Sequence, residues 1–267
     1  MLGAIIGDIV GSRFEFDPTN DYDFELFTNE CGYTDDTICT VAVSDAILSG
    51  KDYGQSIHEW CRRYPLPMGG YGSRFSQWVM SEHPVPYNSF GNGSAMRVSA
   101  IGWWLDDVTA LCDEATKSAS CSHNHPEGVQ GAIAVALAIR DCRMRNPSTA
   151  ADLLHDGLLQ AVSLYYGDVE RFNVNIEEHR NRFDETCRGT VPVALAIINN
   201  SIGFEDAIRQ AVSLGADADT IGAIVGSIAE AIWGIPDWIK DAALMYLPEE
   251  MKRVVGEFQV RLSNRDF

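Results

Sequence analysis

Along this chain apolar residues return at intervals of three and four, and strict alternation is nearly absent. After Thr34, the positions Ile38, Val41, Ala42 and Leu48 follow helical spacing, and Gly50 offers a C-terminal stop. Asp106 can cap a helix that reaches Ser118. Pro126 and Glu127 suit the first turn of a helix running to Arg145, ahead of Asn146 and Pro147. Ser148 caps another, through Tyr165. Thr190 or Val191 precedes Pro192, read as a first-turn proline of a helix that continues to about Asn199. Phe204 to Leu214 is amphipathic and stops at Gly215. Thr220 to Trp233 is almost wholly apolar, with small residues interspersed, the pattern of a central helix buried on every side. Pro236 starts a further helix and Pro248 the last.

Strand-like stretches such as Phe24 to Phe27 are too short to build a sheet. The predicted class is all-α, a single-domain orthogonal multi-helix bundle. No Pro/Ser-rich linker, low-complexity run or useful repeat divides the 267 residues, so one domain over residues 1–267 is expected. Gly, Pro, Asn and acids concentrate in Ser12 to Gly32, Pro65 to Gly72, Pro84 to Ser94 and Ser120 to Asn124. Loops of that kind on a rigid helical scaffold are where sites usually lie.

Charge narrows the partners. The formal net charge is −18, from 38 acids against 20 bases, a field that repels nucleic-acid backbones and anionic membrane surfaces. A local site for one nucleotide stays open. The longest apolar run, near Gly131 to Ile139, is too short for a bilayer and ends at Arg140. The opening MLGAIIGDIVGSR has no basic segment and meets Asp8 early, unlike a signal peptide. The seven cysteines form no CxxC or CxxxC pair and read as reduced core residues of a cytoplasmic protein.

Two acidic knots carry the chemistry. YTDDT, Tyr33 to Thr37, and GADADT, Gly215 to Thr220, each combine paired acids with a threonine at the mouth of an apolar helix. Either knot could simply cap its helix. An EF-hand loop counted from Asp217 would need oxygen at Ile221 and a glutamate at Ile228, so that reading fails. If the two helices pack side by side, four carboxylates meet at one end of the core, and a pair of divalent cations would offset them. GDIVGSRFE adds Asp8 and Glu15, but lacks the Gly-Lys-Ser/Thr of a Walker loop; its glycines could equally serve helix packing. Gly91 to Ser94, in FGNGSAMR, could cradle phosphate or form an ordinary capped turn. In CSHNHPEG, His123 and His125 precede Pro126; no further close ligand completes a zinc set, which leaves contact with a ligand or capping of the loop. Tyr71, Arg74, Phe75, Trp78 and Tyr87 could rim the site or join the core.

The five motifs GDIVGSRFE, YTDDT, GNGSAMR, SHNHPEG and GADADT, in that order over residues 3 to 233, resemble the ADP-ribosylglycohydrolase family. The resemblance implies an all-α bundle with a binuclear Mg2+ or Mn2+ site at one end of the core. It implies cleavage of the glycosidic bond between ADP-ribose and an acceptor. Carried onto this chain, the metal ligands would be Thr34, Asp35, Asp36, Asp217, Asp219 and Thr220. Glu15 would lie near the metals and line the substrate. Gly91, Asn92, Gly93, Ser94 and Met96 would hold diphosphate and ribose, and His123 would line the cleft. Ala216 stands where many relatives have a glycine, and no ligand position is lost.

The implied substrate is an ADP-ribosylated protein or another ADP-ribose conjugate. Asp36 or Glu15 would orient or deprotonate the attacking water while nearby carboxylates favour oxocarbenium-like charge. Arginine is the first expectation for the acceptor, by analogy. Serine, a nucleobase and O-acetyl-ADP-ribose are alternatives, as is a non-catalytic ADP-ribose-binding module or another metal-dependent hydrolase such as a nucleotide phosphohydrolase.

Overall fold

The computed structural model describes residues 1–144 and 174–265, and they form helices joined by loops. The chain opens with α1 (Leu2–Gly11), followed by a 3-10 turn (Ser12–Phe14) and a long irregular segment. Then come α2 (Asp35–Ser49), α3 (Tyr53–Arg63), α4 (Ser73–Met80), the short α5 (Gly93–Met96) and α6 (Ser99–Trp104), α7 (Val108–Ser120) and α8 (Pro126–Arg143). After a 3-10 turn (Ile176–His179) follow α9 (Cys187–Asn200), α10 (Phe204–Ser213), α11 (Ala218–Trp233), α12 (Asp237–Leu244) and α13 (Glu249–Ser263). No strand occurs among the described residues; Phe24 to Phe27 is loop, and Gly91 and Thr186 make an isolated bridge. None of the described helices is long and apolar enough to cross a membrane.

The centre of the bundle is the pair α1 and α11. Their residues face each other in opposite order: Gly3 on Gly226, Gly7 on Gly222, Gly11 on Ala218. The approach is so close that a Cβ on Gly7 would stand 1.9 Å from the Gly222 carbonyl oxygen, and one on Gly3 2.1 Å from that of Gly226. Glycine is needed at these positions because the backbones themselves touch. At the far end of the pair Glu230 Oε2 accepts from Gly3 N at 2.8 Å. Every residue of α1 is buried, as is α11 from Ala218 to Ala229, so the expected all-round burial of the second helix holds for its first three turns. α2, α8, α9 and α10 pack around this pair.

Helix starts follow side-chain caps more closely than prolines. α7 is capped by Asp107, whose carboxylate accepts from Ala110 N, one residue after the expected Asp106. α9 starts before the expected Thr190 or Val191, because Thr186 caps it by accepting from Gly189 N at 3.0 Å. Thr186 is itself held by Asp184 Oδ1 through its amide (2.8 Å) and hydroxyl (2.7 Å). Pro192 therefore lies inside the helix rather than in its first turn. α8 ends at Arg143; Arg145 and the helix expected from Ser148 to Tyr165 lie outside the described residues. Pro236 and Pro248 do sit at the N-caps of α12 and α13. The cysteines form no disulfide; Cys39 and Cys61 lie 3.7 Å apart, sulfur to sulfur, in the core.

Two glycine substitutions should move stability in opposite directions. Gly7→Ala forces α1 and α11 apart and should cost about 3 kcal/mol. Gly256→Ala in α13, where an added Cβ meets nothing within 4 Å, should gain about 0.5–1 kcal/mol from helix propensity. Urea denaturation midpoints read both.

Candidate active site

Because α1 and α11 run antiparallel, the C-terminal end of one meets the N-terminal end of the other. That meeting places Asp8 and Glu15 beside Asp217 and Asp219. Asp8 then draws in the start of α2. Its Oδ2 accepts from the amides of Thr34 (3.0 Å) and Thr37 (3.1 Å), and its Oδ1 from the Thr34 hydroxyl (2.8 Å). Thr220 Oγ1 on α11 donates to Asp36 Oδ2 at 3.3 Å. Three elements far apart in sequence are thereby tied at one point.

Over this junction lies a cavity of about 350 Å3, within the usual range for a small-molecule site. Its wall carries Glu15, Asp35, Asp36, Asp217, Asp219 and Glu185, and a single cationic side chain among the described residues, Arg74. Thr220, Gly91, Asn92, Gly93, Met96 and His123 also line it. Two expected members do not reach the wall. Thr34 is fully buried as the N-cap of α2, accepting from Asp36 N at 3.2 Å while its hydroxyl bonds Asp8. Ser94 is fully buried too, its hydroxyl donated to the Gly128 carbonyl at 2.7 Å. The Gly91 and Asn92 amides already bond Ser89 Oγ and the Glu185 carbonyl, so a phosphate cradle at this loop would depend on the amides that follow.

The two knots differ in what their side chains do. Thr34 caps α2, leaving the carboxylates of Asp35 and Asp36 for the cavity. Asp217 stands at the N-cap of α11 but makes no capping bond; its Oδ2 instead accepts from Asn92 Nδ2 at 2.7 Å. Asn92 is anchored in turn on Thr190 Oγ1 (3.1 Å). The two histidines divide the roles the sequence left open. His125 caps α8, its Nδ1 accepting from Glu127 N at 3.2 Å, while His123 lines the cavity. The aromatic region divides as well: Tyr71, Arg74, Phe75 and Tyr87 reach the wall, whereas Trp78 is core and donates its indole N–H to the Cys121 carbonyl.

Crowding of buried acids dominates the electrostatics. Burial, then the charges of Asp219, Asp35, Asp8 and Glu185, pushes Glu15 up to about 9. Burial pushes Asp217 up to about 7, against the bond from Asn92, and Asp8 to about 6, against its bonds from Thr37 and Thr34. Asp35, Asp36 and Asp219 are raised well above the carboxylate range, by burial first and by neighbouring acids second. Buried carboxylate oxygens of Glu15 (Oε2), Asp36 (Oδ1) and Asp219 (Oδ1) have no hydrogen-bond partner among the described residues. Such orphans are rare and costly in folded proteins. The Glu15 orphan packs against Gly69, where a Cβ would lie 2.2 Å away and φ is +73°.

These hard oxygen donors fit Mg2+ or Mn2+ rather than a softer metal. Among the described residues no three His, Cys, Asp or Glu side chains are grouped to hold one ion by themselves. The fit is therefore to ions that take one or two carboxylates each and complete their shells with hydroxyls, water and substrate, as Mg2+ commonly does.

A sequence profile described as ADP-ribosylglycohydrolase matches residues 1–263. The chain belongs to this family. Among its relatives, the ADP-ribosylarginine hydrolase Tri1 of Pseudomonas putida (strain GB-1) is 26% identical, over 91% of this chain and 73% of its own. Human ADP-ribosylhydrolase ARH3 is 24% identical, over 88% of this chain and 84% of its own. A solved ADP-ribosylglycohydrolase-related protein complex shares the fold, with a TM-score of 0.71 at 22% identity, covering 95% of this chain and 93% of that one. Membership in the family agrees with the resemblance carried by the five motifs, and the all-α class expected from periodicity is the one the structure has.

Glu185, an acid of the cavity wall, carries no local signal in the sequence, and Asp8 is named there without a part. Asp8 was visible as an acid in an apolar helix, but its three bonds to α2 depend on packing that only the fold supplies.

Replacing one crowded acid tests the cluster. Asp36→Asn and Asp219→Asn should each raise cation-free stability by about 1–2 kcal/mol, since a buried like charge is removed. Saturating Mg2+ or Mn2+ should raise the wild-type Tm by roughly 5 °C or more and leave both variants nearly unmoved. Calorimetry with and without chelator reads the effect; an equal response in all three proteins would contradict it.

Proposed function

We propose that this chain is a metal-dependent ADP-ribosyl glycohydrolase that releases ADP-ribose from an acceptor, with arginine side chains as the first candidate. The observation that carries this reading is the junction of α1, α2 and α11, where carboxylates from both knots and from Glu15 line one cavity and several of their oxygens lack a hydrogen-bond partner among the described residues. Arginine is favoured by the likeness to the P. putida hydrolase, whose name states that linkage.

Asp35, Asp36, Asp217, Asp219 and Thr220 would hold two divalent cations, Mg2+ or Mn2+, with Thr34 supporting the set as the cap of α2. When bound, such ions supply the positive charge and Lewis acidity that the cluster lacks. Asn92 orients Asp217, and Gly91, Gly93 and Met96 shape the wall against which a ribose and diphosphate would lie. Arg74 is available to a phosphate: its Nη2 donates to the Tyr87 carbonyl, its guanidinium lies 4.9 Å from the Tyr87 ring centre, and it has no carboxylate partner among the described residues.

The C1–acceptor bond breaks with oxocarbenium-like charge at C1, which the surrounding carboxylates favour. Of the two candidates for the water, Glu15 is the better placed. It is half-buried on the cavity wall, whereas Asp36 is nearly fully buried and has one of its two oxygens bonded by Thr220.

A panel of defined ADP-ribosylated acceptors with Mg2+ or Mn2+, read by mass spectrometry, tests the reading. Release from arginine conjugates, abolished by chelation, is expected. Glu15→Gln should lower kcat by about 10²–10⁴-fold while keeping the cation-induced rise in Tm, and Asp36→Asn should lose both. Tight ADP-ribose binding with no turnover of any conjugate would mark a binding module instead.

A further inference from the structure

Arg97 is a large, fully buried side chain that forms no ion pair with any described residue. Its Nε and Nη1 have no hydrogen-bond partner among the described residues. A guanidinium is always charged and only donates. Burying one without a carboxylate is expensive, so its surviving contacts matter. Nη2 donates to the Ser118 carbonyl (2.8 Å) and to Ser122 Oγ (3.0 Å), with Cys121 Sγ at 3.6 Å. Ser122 Oγ lies 2.8 Å from His123 Nδ1. His123 is the imidazole of the cavity wall.

The order of donors decides the direction of this chain. Arg97 occupies a lone pair of Ser122 Oγ, and the Cys121 thiol, at 3.9 Å, can only add a weak second donation. Among the described residues His123 Nδ1 is the one acceptor within reach of the Ser122 hydroxyl proton, so the hydroxyl donates there and Nδ1 accepts. In a neutral imidazole the other nitrogen is the donor. That nitrogen, Nε2, abuts the glycine loop: a Cβ on Gly93 would stand 3.0 Å from it, and one on Gly91 3.5 Å. The ring packs against Phe75 and Tyr87, tilted to them by 57° and 58°, with centroids 6.2 and 5.7 Å away.

We propose that Arg97 and Ser122 are positioning residues that fix His123 as its Nε2–H tautomer, giving the cavity a neutral hydrogen-bond donor aimed at a phosphate or ribose oxygen of the substrate. The proposal rests on the ADP-ribose reading for the identity of that oxygen. The wall around His123 is otherwise rich in carboxylates, which can only accept while ionised. The opposite tautomer would present a nitrogen lone pair to an oxygen-rich, anionic ligand and repel it. Burial, reinforced by Arg97 and then Arg74, holds His123 well below its ordinary range, so the ring stays neutral and the tautomer is what matters. Gly91 and Gly93 keep the loop open at Nε2, since side chains there would crowd the ring.

Long-range 1H–15N correlation spectra of 15N-histidine-labelled protein at pH 7 read the tautomer directly, with His123→Gln assigning the signal. The ligand-free wild type should show the Nε2–H pattern alone. Ser122→Ala should bring in the Nδ1–H pattern and weaken ADP-ribose binding about tenfold by calorimetry, the worth of one hydrogen bond. Ser122→Thr, which restores the hydroxyl, should return both readouts to wild type. An Nδ1–H pattern in the wild type overturns the proposal without any variant having to fold. An unchanged tautomer in Ser122→Ala, or a changed tautomer with unchanged affinity, also overturns it. A wild type with the Nε2–H pattern that neither binds ADP-ribose nor releases it would instead overturn the glycohydrolase reading.

Discussion

Backbone touches backbone where α1 crosses α11, and every other feature of the site depends on that contact. Glycines at 3, 7, 222 and 226 remove the side chains that would hold the helices apart. The antiparallel pairing then fixes which ends meet: the end of α1, carrying Asp8 and leading to Glu15, meets the start of α11, carrying Asp217 and Asp219. Asp8 completes the junction by holding the first turn of α2 through three hydrogen bonds. A wider helix separation would carry Asp8, and the start of α2 bonded to it, away from Asp217 and Asp219, and the two knots would no longer share a cavity.

The junction works against the stability of the fold. Two unit charges about 4 Å apart repel by about 4 kcal/mol at an effective dielectric of 20. Among the described residues six acids line this one cavity, and several of their buried oxygens lack a hydrogen-bond partner there. The surrounding structure supports them with rigid parts: a fully buried α1, a glycine at 69 that makes room for Glu15, and an asparagine that orients Asp217. Strain of this kind collects at functional sites, where a ligand or cation relieves it. Negative charge elsewhere in the chain favours solubility, while here, on the proposed function, it would serve cations and a sugar that becomes cationic as its bond breaks.

Much of this was legible in the sequence because the signals were local. Helical spacing after Thr34, the apolar run from Thr220 and the prolines at 236 and 248 each mark an element by themselves. The two knots announced themselves by composition at helix starts. What could not be read depended on contacts between distant segments. Thr186 and Asp184 start α9 early, so Pro192 falls inside the helix although its position suggested a first turn. His123 and His125 are indistinguishable as letters, but one caps α8 and the other faces the cavity. Thr34 and Ser94 have the right chemistry for a site, yet the fold turns their hydroxyls to Asp8 and to the Gly128 carbonyl. Arg97 read as the end of a motif, and only its burial shows that its guanidinium is directed at Ser122.

The central claim is that the carboxylates of both knots share divalent cations beneath a ribose. Diffraction from crystals grown with Mn2+ and ADP-ribose, recorded near the manganese absorption edge, addresses it most directly. Anomalous peaks between the side chains of Asp35 and Asp36 on one side and Asp217 and Asp219 on the other, with ribose density against them, are the predicted result. A difference map with no anomalous signal among those carboxylates, or with the ligand bound elsewhere, would contradict it.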